Sequence, residues 1–335
     1  MSGGVDSSVA AMLMLEKGYN CVGGMMILHP NVADSRSVAK EVATKLGMDF
    51  FIFELLDEFS SEVIDEFAKE YQNGRTPNPC VVCNRKIKFG AFYDRAAEMG
   101  LDCMVTGHYV QVEKQGDRFL LRKGADFSKD QSYVLYSLSQ QQLSRSLFPL
   151  GRYTKAEVRA IADKAGLINS KKSDSQDICF VPGKNYVEFI TMHTGFQVRK
   201  GSFIDSEGKY LGESAGVINY TVGQRRGIGL SLPYPGYVLK LDAERNIIVV
   251  GKKEQLYSKY LTIKDVNLIA YDKLEKTIRA KVKIRYSHEA QPANIVQTEP
   301  DRIQIEFDNP QRAITAGQSA VIYEDDYVLG GGVIN

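Results

Sequence analysis

The sequence has no apolar run approaching the roughly 18 residues that a membrane-crossing helix requires. Nor do its first residues form a charged stub followed by an apolar stretch, so neither a membrane span nor a signal peptide is expected. Cysteine is scarce: Cys21, Cys80, Cys83, Cys103 and Cys179 are too few and too unevenly spaced for a secreted disulfide scaffold in a chain of 335 residues. A reducing, cytoplasmic setting is the expectation. Histidine is scarcer still, and His29, His108, His193 and His288 show no finger spacing; with a single C-x-x-C, a zinc site is not supported. An excess of charge is missing as well, with 42 Lys and Arg against 41 Asp and Glu and a net charge of +1. Such a chain exerts no global pull on a polyanion, so any nucleic-acid surface has to come from segregated charge. No internal repeat or low-complexity tract is present.

What is present begins with length, which exceeds what one core usually serves and implies two or three domains. Through about residue 110, helical and short apolar segments alternate, the α/β pattern of a parallel sheet covered on both faces. Residues 111–123 read as an inserted hairpin, and 131–147 and 154–165 as further helices. Near residue 195 the character changes: closely spaced glycines cut the chain into short extended pieces, a small β-rich module. From about 260 longer strands such as "TIRAKVKIRY" and "RIQIEF" indicate a barrel-like β domain. The domains are thus expected at 1–195, 196–256 and 257–335.

The opening string "MSGGVDSSVAAMLMLEKG" runs from a glycine loop directly into a helix. Backbone N–H groups and the positive helix end would cradle an anion there, and the glycines permit its close approach. The Lys of the common phosphate-binding loop is absent, and a hydroxyl-rich loop without it suits a pyrophosphate that leaves as one unit. The plain alternative is a glycine turn with a Ser-rich helix cap. In "VTGHY", Gly107 falls where backbone passes a ligand after a parallel strand, with His108 beside it. Met26 ends the second strand and is either an adenine-packing residue or ordinary core; His108 is either a contact or a surface histidine.

Cys80 and Cys83 fit a dithiol, a metal pair or a redox role, whereas Cys21 and Cys103 sit in expected buried strands. Cys179 follows the polar string "SDSQD". A thiol near Asp174 and Asp177 has a raised pKa unless a helix dipole, Lys171 or Lys172, or backbone donors offset it; the alternative is a half-buried cysteine packed beside Phe180. A pyrophosphate loop combined with Cys83 and Cys179 spells out one chemistry. Adenylation makes a carbonyl oxygen a leaving group, a cysteine persulfide attacks the activated carbon, and the second thiol closes a disulfide as the thiocarbonyl departs. Arg279, Lys281, Lys283 and Arg285 recur at period two, so one strand face carries all four as a basic stripe; a solvated barrel face is the bland reading. Arg225 and Arg226 lie in a glycine-flanked loop, and Arg75, Lys86 and Lys88 are expected to surround the cysteine loop with positive charge.

The opening loop, "NGRTPNPCVVCNRKIKFG", "VTGHY", "KDQSYVL", "SDSQDICF", "GQRRGIG" and "IRY" together resemble, essentially from end to end, the bacterial tRNA-specific 2-thiouridylases of the N-type ATP pyrophosphatase superfamily. The resemblance implies a Rossmann-like parallel sheet of the adenine nucleotide alpha hydrolase type, then a small β-rich central domain and a C-terminal β-barrel that contacts tRNA. It implies 2-thiolation of the wobble uridine in the tRNAs for Lys, Glu and Gln, using ATP with Mg²⁺ and a persulfide from a cysteine desulfurase or sulfur-carrier protein. By similarity Cys179 carries the persulfide and Cys83 is its catalytic partner. The nucleotide site would comprise Met1, Ser2, Gly3, Gly4, Val5, Asp6, Ser7, Ser8, Met26 and Gly107. Asn78, Pro79 and Cys80 would lie at the target base, with tRNA contacts from His108, Lys129, Asp130, Gln131, Arg285, Tyr286 and Gln318. A cytoplasmic monomer is expected.

Two departures stand out. A short strand precedes the loop in the family, while this sequence starts inside the motif, so weak ATP binding or incomplete folding of the quoted chain is expected unless the strand is encoded upstream. Many members carry Asp where this chain has Cys80. Cys80, Cys83 and Cys179 could then ligate an iron-sulfur cluster; the metal-free disulfide route is preferred. The rival functions are another adenylating enzyme, such as argininosuccinate, asparagine or GMP synthetase, which does not require the thiol pair, and a noncatalytic RNA-binding relative.

Overall fold

The computed structural model describes residues 1–29, 33–170 and 177–335; Lys171, Lys172 and Asp174, named above beside Cys179, lie outside these. The chain divides into two compact units, one of Met1–Val63, Cys80–Gln176 and Glu324–Gly330, the other of Ile64–Pro79, Asp177–Tyr323 and Gly331–Asn335.

Helices and short strands alternate from the start: α1 (Val5–Glu16), β1 (Gly23–Ile27), α2 (Ala33–Lys45), β2 (Phe50–Glu54), α3 (Leu56–Phe59), a π-helical Ser60–Ile64 and α4 (Asp65–Gln72). Then come α5 (Pro79–Val82), a π-helical Cys83–Ala91, α6 (Phe92–Glu98) and β3 (Met104–Val105). β1 and β2 pair in parallel, from Gly23 opposite Phe50 to Ile27 opposite Glu54. The hairpin appears where expected, as β4 (Val110–Gln115) and β5 (Arg118–Lys123), and Tyr327 and Val328 extend it by pairing with Arg122 and Leu121.

The stretch 131–147, expected to be helical, instead breaks into α7 (Ser132–Leu135), α8 (Gln140–Ser144) and β6 (Ser146–Leu147). The break has a local cause at Ser139, whose hydroxyl accepts from the Gln142 N–H while the Gln142 side chain accepts from the Ser139 N–H. That reciprocal capping starts a new helix rather than continuing the old one. β6 then pairs in parallel with β3.

α9 (Lys155–Lys164) is capped in the same way by Thr154 and Glu157. Its Val158 and Ala162 pack on Val5, Val9, Ala10 and Leu13 of α1, with Val42, Leu150 and Leu167 completing the core. Each large aliphatic side chain buried there contributes about 1.5–3 kcal/mol. This packing sets the start of α1 beside the start of α9.

In the second unit, α10 (Tyr186–Thr194) stops at Gly195, which takes the left-handed conformation at φ 69°. The central β-rich sheet has the order β8 (Tyr210–Ser214), β7 (Gly201–Ile204), β10 (Ile247–Gly251), β9 (Tyr237–Asp242), over a core of Phe203, Val217, Tyr220, Ile228, Val238, Ile248 and Val250. The C-terminal strands β11 (Tyr257–Leu268), β12 (Ile278–Lys283), β13 (Gln291–Glu299), β14 (Arg302–Arg312), β15 (Ser319–Glu324) and β16 (Tyr327–Ile334) form a barrel of order β11-β14-β13-β12-β15-β16, closed by β16 on β11. The α/β, small β-rich and barrel architecture read from the sequence is therefore present. No helix among the described residues is long and apolar enough to cross a membrane.

Ile305 lies across from Leu261 and Ile295 and is fully buried in the barrel. Ile305→Ala is expected to cost about 2–5 kcal/mol, read as a lower urea midpoint by circular dichroism, since the chain has no tryptophan to report by fluorescence.

Candidate active site

The opening loop is shaped by two glycines and tied by hydroxyls. Gly3 sits at φ +68°, and a Cβ on it would lie 2.7 Å from the Ser35 carbonyl oxygen, so no other residue fits unstrained. Gly4 caps α1, and the Ser7 and Ser8 hydroxyls both donate to its carbonyl at 3.0 Å. The Ser2 N–H reaches the Ser7 hydroxyl at 3.2 Å. From a distant part of the sequence, buried Asn169 donates its amide to the Gly3 carbonyl at 3.2 Å and to the Ser8 hydroxyl at 2.9 Å. Gly107 backs onto the same loop: a Cβ there would sit 2.7 Å from the Asp6 carbonyl carbon and 2.8 Å from the Ser7 nitrogen. Met26 is half-buried on β1.

Asp6, in the first turn of α1, is not an open carboxylate. Lys155 approaches Oδ1 at 2.8 Å and Oδ2 at 2.9 Å, and the Tyr109 hydroxyl donates to Oδ1 at 2.8 Å. Asn169, Lys155 and Tyr109 escaped the sequence reading. Each is joined to the loop across more than 100 residues, and no local pattern marks such a pairing.

The cysteine segment begins with half-buried Asn78, buried Pro79 and exposed Cys80. Cys83, only 8% exposed, opens the π-helical stretch, a departure from α geometry that recurs at functional sites. Gly90 breaks the helical path with φ −111° and ψ −107°. The carbonyls of Arg85 and Phe89, within this stretch and ahead of Gly90, each accept from the Gln142 side-chain amide at 2.8 Å. Next to Cys83, buried Asn84 donates to the Val134 carbonyl at 2.9 Å and accepts from Lys88 at 3.0 Å. Protein crowding around Cys80 pushes its thiol up, and the Lys88 charge pulls the other way. Burial holds His108 well below its ordinary value, helped by Lys88, so the imidazole is neutral; its Nδ1 lies 2.8 Å from the Thr106 hydroxyl.

Cys179, in the second unit, is exposed, whereas its neighbour Phe180 is buried edge-on to Phe67 at 5.2 Å. The half-buried, packed cysteine of the alternative is therefore not what is seen: Phe180 is the buried residue and Cys179 the exposed one. Among the described residues no three His, Cys, Asp or Glu side chains converge as a metal site.

Several residues read as RNA contacts have internal duties. Asp130 is buried and accepts from the Gly124 and Ser132 N–H groups and the Ser132 hydroxyl, while the Gln131 side chain accepts from the Tyr109 N–H at 2.9 Å; Lys129 beside them is half-buried. Arg285 turns onto the Ala313 carbonyl and the Thr315 hydroxyl at 2.8 and 2.7 Å. Gln318 donates to the Thr76 carbonyl at 2.8 Å. Tyr286 is exposed, with the Lys283 ammonium 5.4 Å from its ring centroid. The basic stripe has the expected alternation, Ala280, Val282 and Ile284 being buried, but Arg279 pairs with Asp308. The positive surround expected of the cysteine loop is likewise reduced, since Arg75 pairs with Glu70 and Lys86 with Glu62. Arg225 and Arg226 are exposed.

Gln142→Leu removes both hydrogen bonds to the distorted helix and is expected to destabilise it by about 1–3 kcal/mol. Faster amide exchange across residues 83–91, with the barrel amides unchanged, is the measurement that checks this.

Comparison with known proteins matches three successive stretches of the chain. Residues 1–183 match a tRNA methyl transferase HUP domain, 187–252 a tRNA methyl transferase PRC-barrel domain, and 258–334 an aminomethyltransferase beta-barrel domain. The tRNA-specific 2-thiouridylase MnmA of Acetivibrio thermocellus is 44% identical over 349 residues, covering 100% of this chain and 97% of that protein. Its counterpart in Treponema denticola is 44% identical over 351 residues, covering 100% and 96%, and one from Clostridium tetani is 44% identical over 350 residues, covering 100% and 97%. Identity at this level along the whole length establishes descent: the chain belongs to the tRNA-specific 2-thiouridylase family.

Proposed function

We propose that this protein is an ATP-dependent tRNA-uridine 2-sulfurtransferase that thiolates the wobble uridine. The observation that carries the reading is the end-to-end similarity to relatives named as 2-thiouridylases. The family models speak of methyl transfer, but methyl transfer requires neither a pyrophosphate-type loop nor a pair of thiols.

In this reading residues 1–8, with Gly107 behind them and Met26 at the base, receive ATP; Mg²⁺ would neutralise phosphate charge. The uridine C2 oxygen attacks the α-phosphorus, the bond to pyrophosphate breaks, and the base gives up its N3 proton. The terminal sulfur of a Cys179 persulfide then attacks C2, and AMP leaves with the oxygen. Finally the Cys83 thiolate attacks the Cys179 sulfur, forming a Cys83–Cys179 disulfide and releasing the thiocarbonyl. A thiol reductant restores both cysteines. Cys83 is buried, so the base has to leave its stack to reach it, as base-modifying enzymes require. The exposure of Cys179 suits a thiol that is loaded by another protein, a cysteine desulfurase or sulfur carrier.

The substrates in this reading are the tRNAs for Lys, Glu and Gln. Asn78, Pro79 and Cys80 border the base, and His108, Lys129, Gln131, Tyr286 and the exposed Lys281 are the residues best placed by chemistry to meet RNA. Asp130, Arg285 and Gln318 would act by holding neighbouring backbone.

Cys179→Ala and Cys83→Ala are each expected to abolish 2-thiouridine, scored by mass spectrometry of tRNA nucleosides. Pyrophosphate release on adding ATP and tRNA should persist, because adenylation precedes sulfur transfer. Thiolation at the wild-type rate in either variant would defeat the assignment, and a wild-type protein that shifts tRNA on a gel yet releases no pyrophosphate would be a binding relative.

A further inference from the structure

The glycine-rich loop 223–236, which leads into β9, encloses a cavity that no step of the proposed reaction uses. Its volume is about 320 Å³, and Arg225, Ile228, Leu230, Leu232 and Tyr234 are among the residues that line it. Ligand pockets run from roughly 300 to 1,000 Å³, so this one suits a single ring system rather than a helix of another protein. The loop is pinned where it starts. The Gly223 N–H donates to the Val238 carbonyl at 2.8 Å, and the Val238 N–H to the Gln224 carbonyl at 3.0 Å. The Gln224 side chain accepts from the Thr221 N–H at 3.0 Å and donates to the Arg226 carbonyl at 3.1 Å. Gly227 and Gly229, at φ +73° and +78°, turn the chain on either side of Ile228, which is buried in the core of the central sheet with Leu230 and Leu232 packed against it. These ties form the cavity without help from a ligand.

The lining joins an aromatic ring to positive charge. Tyr234 is half-buried, and the Lys252 ammonium lies 5.5 Å from its ring centroid. Arg225 is exposed, exposed Arg226 follows it, and no carboxylate lines the cavity. The acidic groups of the neighbouring elements are occupied or offset. Glu213 of β8 pairs with Lys200, Asp205 after β7 accepts from the Glu207 and Lys209 N–H groups, and exposed Glu254 follows Lys252 and Lys253 in the chain. Apolar walls, one ring and unopposed cations fit a planar group that carries an anion, which describes a nucleotide. The start of the loop also meets the barrel: Arg285 donates to the Val222 carbonyl at 3.4 Å, and a Cβ on Gly223 would lie 3.8 Å from its guanidinium. Exposed Tyr286, read above as an RNA contact, is the next residue, so the loop continues that surface.

We propose that this cavity is a second RNA subsite, holding one unpaired nucleotide of the tRNA outside the modified position, its base stacked on Tyr234 and its phosphate on Arg225. This rests on the tRNA reading of the function. Unpaired RNA bases are held by stacking on aromatic rings, which accepts any base. The guanidinium fork matches two phosphate oxygens. A second hold on the RNA fixes its register while the wobble base leaves the stack.

Fluorescence anisotropy of an end-labelled tRNA transcript titrated with the full chain across a salt series tests this. Tyr234→Ala is expected to weaken the complex about fivefold or more with the salt slope unchanged, and Tyr234→Phe to keep wild-type affinity. Arg225→Met, at an exposed position where folding is not at stake, should weaken the complex and lower the slope of log Kd against log salt by about 0.7. Wild-type affinity in either Tyr234→Ala or Arg225→Met, or a Tyr234→Phe as weak as Tyr234→Ala, would overturn the subsite alone. Equilibrium dialysis with labelled AMP separates a free nucleotide from RNA: AMP lost in Tyr234→Ala while tRNA affinity holds would overturn the RNA assignment. Wild-type protein that binds no tRNA would overturn the tRNA reading and this proposal with it.

Discussion

The tight approach of Gly107 to the backbone of Asp6 and Ser7 is the constraint on which the N-terminal site depends. No side chain fits between them, so the strand end carrying Gly107 and the first turn of α1 are held at backbone distance. With that turn fixed, the apolar face of α1 meets Val158 and Ala162 of α9, and the packing brings Lys155 to Asp6. Asn169 closes the loop from the other side. One steric contact thus sets the positions of a glycine loop, two helix ends and an ion pair.

The cysteine segment is organised by a different means. The π-helical stretch beginning at Cys83 gives up regular i to i−4 bonding, and the side chains of Gln142 and Asn84 tie it to α8 and to Val134. Both ties end in the region 131–147, one on the Gln142 side chain of α8 and one on the Val134 carbonyl of α7.

Local chemistry was legible in the sequence and long-range pairing was not. Gly3, Gly4 and Gly107 could be read because glycine is demanded by backbone geometry, and the alternation at 279–284 because a strand face has period two. The fates of the charged residues could not. Arg75, Lys86, Arg279 and Arg285 look like a dispersed RNA surface on paper, yet each finds a partner through the fold, at Glu70, Glu62, Asp308 and Thr315. At Cys179 the sequence left two readings open, and the fold decides between them: the cysteine is exposed while its neighbour Phe180 packs on Phe67.

The short segment 75–77 is bonded to the barrel at three points: Arg75 to the Ile334 carbonyl, the Thr76 N–H to the Ala316 carbonyl, and Gln318 to the Thr76 carbonyl. The barrel is consequently not an interchangeable cartridge. A recombination event that replaced it at a boundary near residue 257 would leave the peptide just ahead of Asn78 without its moorings. A substitute barrel would have to supply matching partners for residues 75–77.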